Sequence, residues 1–332
     1  MKTLKKCFSL AGSRKRGLSF ATFAICGIIL LAVPLQISCS DSGDDNGDST
    51  VGATLEGADV DKNNSGEIKP NDGKDDSNSG ETKPDGGKDD SNPDETKSDP
   101  VKAALAEGVT YENVDKLMIA VPGKEFSILA TEVTQELYQS VMDKNPSGFK
   151  EEKNLPVEKV SWYDAVVFCN ELSKKCGFAP VYAVDGETDV GKWGYAPHKG
   201  NKITGTVSQN ENANGYRLPT VEEWQYAAKG GQDYKYSESD KLDEVGWYGG
   251  SIGSKTHPVA QKNSNVYGLY DMSGNVWEWC GGPYPNYSRS RYCCGGSWYS
   301  SADYCEVGDK READANNSSS SFGFRIVRST GK

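Results

Sequence analysis

A 14-residue polar repeat sets the outer limit on what this chain can fold. "KPNDGKDDSNSGET" (Lys69–Thr82) is followed at once by "KPDGGKDDSNPDET" (Lys83–Thr96). Neither copy has an aromatic residue or an apolar face, so the copies cannot stack as a solenoid. High charge with Gly, Pro and Ser leaves too little surface to bury against the entropy of ordering. Residues 39–104 are therefore expected to be a disordered acidic stalk. Ser40–Pro100 holds 18 Asp plus Glu against 6 Lys, a net of −12, where the whole chain is −11. The acidity thus belongs to the stalk and does not describe a ligand of the folded part. No basic footprint is present, so nucleic acid is not an expected partner.

Six basic residues precede Leu18, and an apolar run then ends in "LQISCS". A charged start, an apolar middle and a small-residue end describe an export signal over residues 1–38. A bacterial lipoprotein signal ends in a small residue before a cysteine that becomes lipidated. Ser38 and Cys39 fit, with Gln36 at the position where leucine is usual and Leu35 one step away. A plain spanning anchor is the alternative, since about 20 apolar residues can cross a bilayer. Either reading predicts an exported chain held at a membrane, on the lipoprotein reading through a lipid on Cys39 at the outer surface of a bacterium.

Residues 105–332 are rich in Trp, Tyr and Gly and long enough for one sizeable core. "SWYDAVVFCNELSKKCG" predicts a helix with Ser161 as N-cap, Asp164 at the box position and Gly177 as the stop. Ala165, Phe168, Cys169, Leu172 and Cys176 would share one face. "PTVEEWQYAAKGG" repeats the grammar with Thr220, Glu223 and Gly230. "EVTQELYQSVM" predicts a third, shorter helix. Elsewhere Gly, Pro and Asn break the chain every few residues, so strands must be short and loops long. The fold class is α+β.

"GLYDMSGNVWEW" (Gly268–Trp279) carries two hard oxygen donors seven residues apart, Asp271 and Glu278. The carbonyls of Gly274 and Val276 lie between them, and oxygen ligands on irregular backbone suit calcium. A turn in which Asp271 caps backbone amides is the other reading. Trp277 and Trp279 are expected in the core. Together with "RLPTVEEWQYAAKGG", "PVEKVSWYDAV", "GGSW" and "GFRIVRS", the motif resembles the formylglycine-generating-enzyme-like (sulfatase-modifying-factor) family, in the family's order over residues 115–329. The resemblance implies a C-type lectin-like fold with two main helices on a small twisted sheet and extensive irregular loops. It also implies a structural calcium on Asp271, Gly274, Val276 and Glu278.

Catalytic relatives oxidise a substrate cysteine with two copper-binding cysteines in a pattern similar to G-G-S-x-x-C-x-x-x-x-C. Here the first position is Ser300 and the second is Cys305. A hydroxyl does not replace a soft thiolate for copper(I). Copper and a formylglycine-generating oxidase activity are therefore not expected, and Cys305 is a remnant. Six cysteines lie in the folded part, where export permits disulfides, but spacing does not give their pairing.

The segment 299–322, "YSSADYCEVGDKREADANNSSSSF", has 14 of 24 residues that are Ser, Tyr, Asp, Asn or Phe. Gly295–Trp298 before it and "GFRIVRS" after it are expected on adjacent strands, so the segment would be presented rather than loose. Tyr with Ser and Asn is the chemistry of paratopes. Asn, Asp, Ser, Tyr and Phe are also all reached from an Asn codon by changing only its adenines. Targets of bacterial diversity-generating retroelements, which mutagenise adenines in a C-terminal cassette, are similar. The expected variable, ligand-binding positions are Tyr299, Ser300, Ser301, Asp303, Tyr304, Asp309, Asp314, Asn317, Ser318, Ser319, Ser320 and Phe322. The ligand would be external, and a protein. An ordinary polar loop, or an envelope lipoprotein with a structural role, are the alternatives.

Overall fold

The computed structural model describes residues 98–251, 253–282 and 289–330. The export signal, Cys39 and the repeats lie outside the described residues. Ordered structure begins earlier than composition implies. Helix α1 spans Pro100–Glu107, with the Asp99 side chain accepting from the amides of Val101 and Lys102. An Asp N-cap followed by proline at the first helical position starts a helix. Val101, Ala104 and Leu105 then join the main core. The expected stalk boundary at 104 is corrected to before Asp99, because these apolar residues have a surface to cover.

The three helices expected from sequence form, α3 and α4 with their expected capping boxes. Helix α2 (Gln135–Met142) is capped by Thr134 and ends at Asp143 in the left-handed region. Helix α3 (Trp162–Lys175) has a reciprocal box between Ser161 and Asp164, and α4 (Val221–Lys229) has one between Thr220 and Glu223. Each cap contributes about 1 kcal/mol. Ala165, Phe168, Cys169 and Leu172 are fully buried, whereas Cys176 is the C-cap and only half-buried. A one-turn helix α5 (Leu242–Val245) follows.

The strands are short, as the density of turn residues requires. One four-stranded sheet has the order β1 (Met118–Ala120), β2 (Phe126–Leu129), β10 (Val327–Ser329), β5 (Tyr216–Arg217). A second has the order β8 (Arg311–Asp314), β7 (Ser290–Cys294), β6 (Trp277–Trp279), β9 (Phe322–Gly323). A two-stranded ribbon pairs β3 (Tyr182–Val184) with β4 (Val207–Gln209). Within the second sheet β6 pairs β7 antiparallel and β9 parallel, with Glu278 opposite both Cys294 and Gly323. Trp277 and Trp279 are buried, as expected. The Trp279 indole donates to the Val160 carbonyl at 2.9 Å, and that of Trp162 to the Cys280 carbonyl at 3.0 Å. These bonds lock the α3 N-terminus to the second sheet.

Gly295–Trp298 is not a strand. Strand β7 stops at Cys294, and Gly295 and Gly296 both take positive φ, 92° and 76°. A Cβ on Gly296 would lie 2.5 Å from Cys305 Sγ. The glycines thus turn the chain and let the 302–305 segment close against it.

Candidate functional site

The segment 299–322 is built, not loose. A 3-10 turn covers Ala302–Cys305, and β8 pairs along β7. The Trp298 amide donates to Asn275 O at 2.8 Å, and its indole donates to Ser320 O at 3.0 Å. Phe149 meets the Trp298 ring edge-on at 5.6 Å. Trp298 therefore ties the two ends of the segment together. The Lys159 amide donates to Ser319 O at 3.2 Å, which pins the distal turn to the start of α3.

The expected binding positions divide by environment. Tyr299 is 77% exposed, next to Trp298. Ser301, Asp303, Asp314, Ser318 and Ser319 are exposed, and Tyr304, Asn317 and Ser320 are half-buried. Through Trp298 the structure brings Tyr299 and Ser320 together. Tyr304 lies apart, under the guanidinium of Arg311. Three positions are corrected as contact residues. Ser300 is buried, and its hydroxyl meets the Ser297 amide and hydroxyl, both at 3.0 Å. Phe322 stacks on Trp279 at 4.8 Å as part of the sheet. Asp309 is half-buried, with Oδ2 enclosed and unpaired.

Sequence spacing gave no signal for a polar cavity of about 250 Å³ behind the distal turn. Lys159, Asp164, His198, Asn316 and Ser318 line it. Tyr138 OH lies 3.1 Å from His198 Nε2, and burial pushes the His198 pKa down. The Asp164 carboxylate is saturated by the Ser161 amide and hydroxyl, the Tyr195 hydroxyl and the His198 amide. Its work is to cap α3 and hold the 195–198 loop.

Cys305 is fully buried, and burial pushes its thiol up to about 12. Such a thiol is a poor nucleophile at neutral pH.

Of the four expected calcium donors, Glu278 is held by an arginine. Glu278 Oε1 accepts from Arg325 Nη2 at 2.7 Å, and Oε2 accepts from Arg325 Nε and Trp224 Nε1, both at 2.6 Å. A buried guanidinium already neutralises this carboxylate. Asp271 Oδ2 accepts from the Ala260 amide at 2.7 Å, which is the amide-capping reading of the motif, and Oδ1 is enclosed without a partner. The Val276 amide donates to Glu132, and the Gly274 amide to the Gly295 carbonyl. Among the described residues no group of three or more His, Cys, Asp or Glu could hold a metal ion. Glu278 is thus a charge-paired core carboxylate, and Asp271 Oδ1 is the motif oxygen left enclosed without a donor among the described residues. Burial, then the charges of Asp271 and Glu278, hold the Glu132 carboxyl well above its usual range.

Residues 104–330 match the Sulfatase-modifying factor enzyme 1-like domain. The chain belongs to that family. It is 42% identical over 229 residues to the "Chaperone protein LppX" of Paenibacillus barcinonensis, covering 62% of this chain and 80% of that one. It is 29% identical over 205 residues to the "Inactive C-alpha-formylglycine-generating enzyme 2" of Mus musculus, covering 56% of this chain and 53% of that relative's length. Among solved structures it is similar to "Treponema denticola variable protein 1", with TM-score 0.56 and 35% identity over 64% of this chain and 91% of that one. The mixed helix and strand architecture agrees with the fold expected of the family, a C-type lectin-like α+β domain.

Proposed function

We propose that this family member is an exported, ligand-binding surface protein whose C-terminal segment forms a sequence-variable contact face for an external protein. The observation that carries the reading is the combination of fixed ends and open middle in 299–322. Trp298 and β9 anchor the segment, while Tyr299, Ser301, Asp303, Ser318 and Ser319 face solvent. A scaffold of this kind tolerates substitution at the exposed positions, because surface changes away from special features move stability by only about 0.5 kcal/mol. The likeness to a Treponema variable protein supports it. Tethering through a lipid on Cys39 belongs to the same proposal.

The test is genetic and then biochemical. The locus should lie beside a reverse transcriptase and a near-copy of the segment with Asn codons at the exposed positions. Absence of both would sink the reading. A Cys39→Ser chain should leave the detergent phase for the aqueous phase; continued detergent partition would exclude the lipid anchor.

One observation favours a second reading, a protein with a single invariant partner. The relative at 42% identity is named a chaperone. Under that reading, replacing Tyr299, Ser301 and Ser318 together would leave partner binding unchanged. An oxidase role has less support, since Ser300 replaces one thiol and Cys305 is enclosed.

A further inference from the structure

Strands β7 and β8 pair so that Cys293 stands opposite Arg311 and Arg291 opposite Ala313. Opposed residues share a face, and so do alternate residues along a strand. Arg291 and Arg311 are therefore diagonal neighbours on one face. Each guanidinium lies over an aromatic ring. Arg291 Cζ is 4.3 Å from the ring centre of Trp162, and Arg311 Cζ is 3.3 Å from that of Tyr304. Trp162 is buried, and Tyr304 is half-buried against the main core, so neither shelf is free to swing away.

Arg311 itself is exposed. Among the described residues its guanidinium makes no ion pair. Asp303 stands within its field without pairing to it, its carboxyl lowered first by the Ser301 hydroxyl and further by the charge of Arg311. A guanidinium held flat on a ring keeps its N–H fork in one plane. Little rotamer freedom is then left to lose when a carboxylate binds it in bidentate fashion.

We infer that Arg311, on its Tyr304 shelf, is a cationic anchor for an acidic side chain of a peptide ligand, and that residue 304 sets whether the anchor is open. The inference rests on the variable-surface reading, in which Tyr304 is a variable position and Arg311 is not. Tyr304 presents the fork to solvent. An Asp at 304 pairs with Arg311 and closes the site from within. Ser or Asn there removes the shelf and leaves a mobile side chain. A single codon thus switches the anchor while the scaffold stays unchanged.

The test uses the whole chain and a fluorescein-labelled hexa-aspartate peptide, read by anisotropy at about 50 mM salt, where screening is modest. Arg311→Gln is expected to weaken binding at least about ten-fold, the scale of one lost charge-assisted pair. Arg311→Lys should lose part of that, because it keeps the charge and loses the fork. Tyr304→Asp should match Arg311→Gln, and the double variant should be no worse than either. Lys229→Gln, at an exposed cation in the last turn of α4 outside the segment, should stay within about two-fold of the parent and serves as the folded control, with thermal melts on every variant. Unchanged binding in Arg311→Gln, additive losses in the double variant, or equal binding of hexa-asparagine would each overturn the anchor. So would Arg311-dependent binding of heparin that outcompetes the peptide, which would assign the site to sulfated sugar. These results are separable from the parent reading. A diversified locus with no effect of Arg311→Gln sinks the anchor alone. An undiversified locus with a clear effect sinks the variable-surface reading and the switching role of residue 304, and leaves the anchor standing.

Discussion

Glu278 and Arg325 face each other through two charge-assisted bonds, Nε to Oε2 at 2.6 Å and Nη2 to Oε1 at 2.7 Å, with side chains 1% and 0% exposed. Arg325 also donates to the carbonyls of Leu129 and Tyr270. One guanidinium therefore joins the first sheet, the 268–276 turn and β6. Breaking such a pair from one side leaves a buried charge without its partner. Arg325→Met should cost about 3–5 kcal/mol in urea unfolding. A loss under about 1 kcal/mol would show that the pair contributes little to holding the fold.

The same cluster predicts an unusual pH profile. Burial raises the Asp271 carboxyl from 3.8 to about 6. The native state then binds a proton in a window where the unfolded chain has released it. A raised carboxylate pKa makes stability rise as pH falls through the folded value towards the unfolded one. Melting temperature should therefore increase from pH 7 to about pH 4.5. Asp271→Asn should reduce that slope, the raised Glu132 carboxyl supplying the remainder, and a parent slope of opposite sign over this window would refute the assignment.

Gly296 tests how the segment is mounted. Its φ is 76°, and a Cβ there would overlap Cys305 Sγ. Gly296→Ala should destabilise by about 1–3 kcal/mol, the range for a strained backbone position. Gly308→Ala, where a Cβ meets nothing within 4 Å, is the neutral comparison. Equal melting temperatures for the two variants would contradict the close approach.

Helix α1 is expected to behave as part of the folded domain. A chain beginning at Ser98 should melt with the full-length protein. One beginning at Val109 loses the burial of Val101, Ala104 and Leu105. At about 25 cal/mol per Å² of apolar surface, that is a loss of several kcal/mol. Identical melts for both truncations would return the boundary to the stalk side of α1.

Much was legible in the sequence because its signals are local. Ser161 with Asp164 and Thr220 with Glu223 satisfy amides three residues away, so the caps needed no tertiary information. Trp277 and Trp279 could be placed in the core for the same kind of reason, since their bulk and apolar character demand burial. The family motifs located the turn at 271–276. What the spacing could not show was which distant groups those residues would meet. Asp271 and Glu278 look alike as oxygen donors until Arg325, 47 residues beyond Glu278, closes on one of them. Ser300 and Tyr299 are adjacent in sequence, yet one is enclosed and the other open, because the turn after Gly296 faces them differently.

The sequence by itself determined the α+β class, three capped helices, the family and the segment that departs from the family's catalytic pattern. Those follow from short-range hydrogen bonding, periodicity and residue identity. Only the tertiary structure decided that the motif carboxylate is spent on an arginine, that Cys305 is buried and that Arg311 lies open on Tyr304. Charge, burial and stacking depend on neighbours that the chain brings together only when it folds.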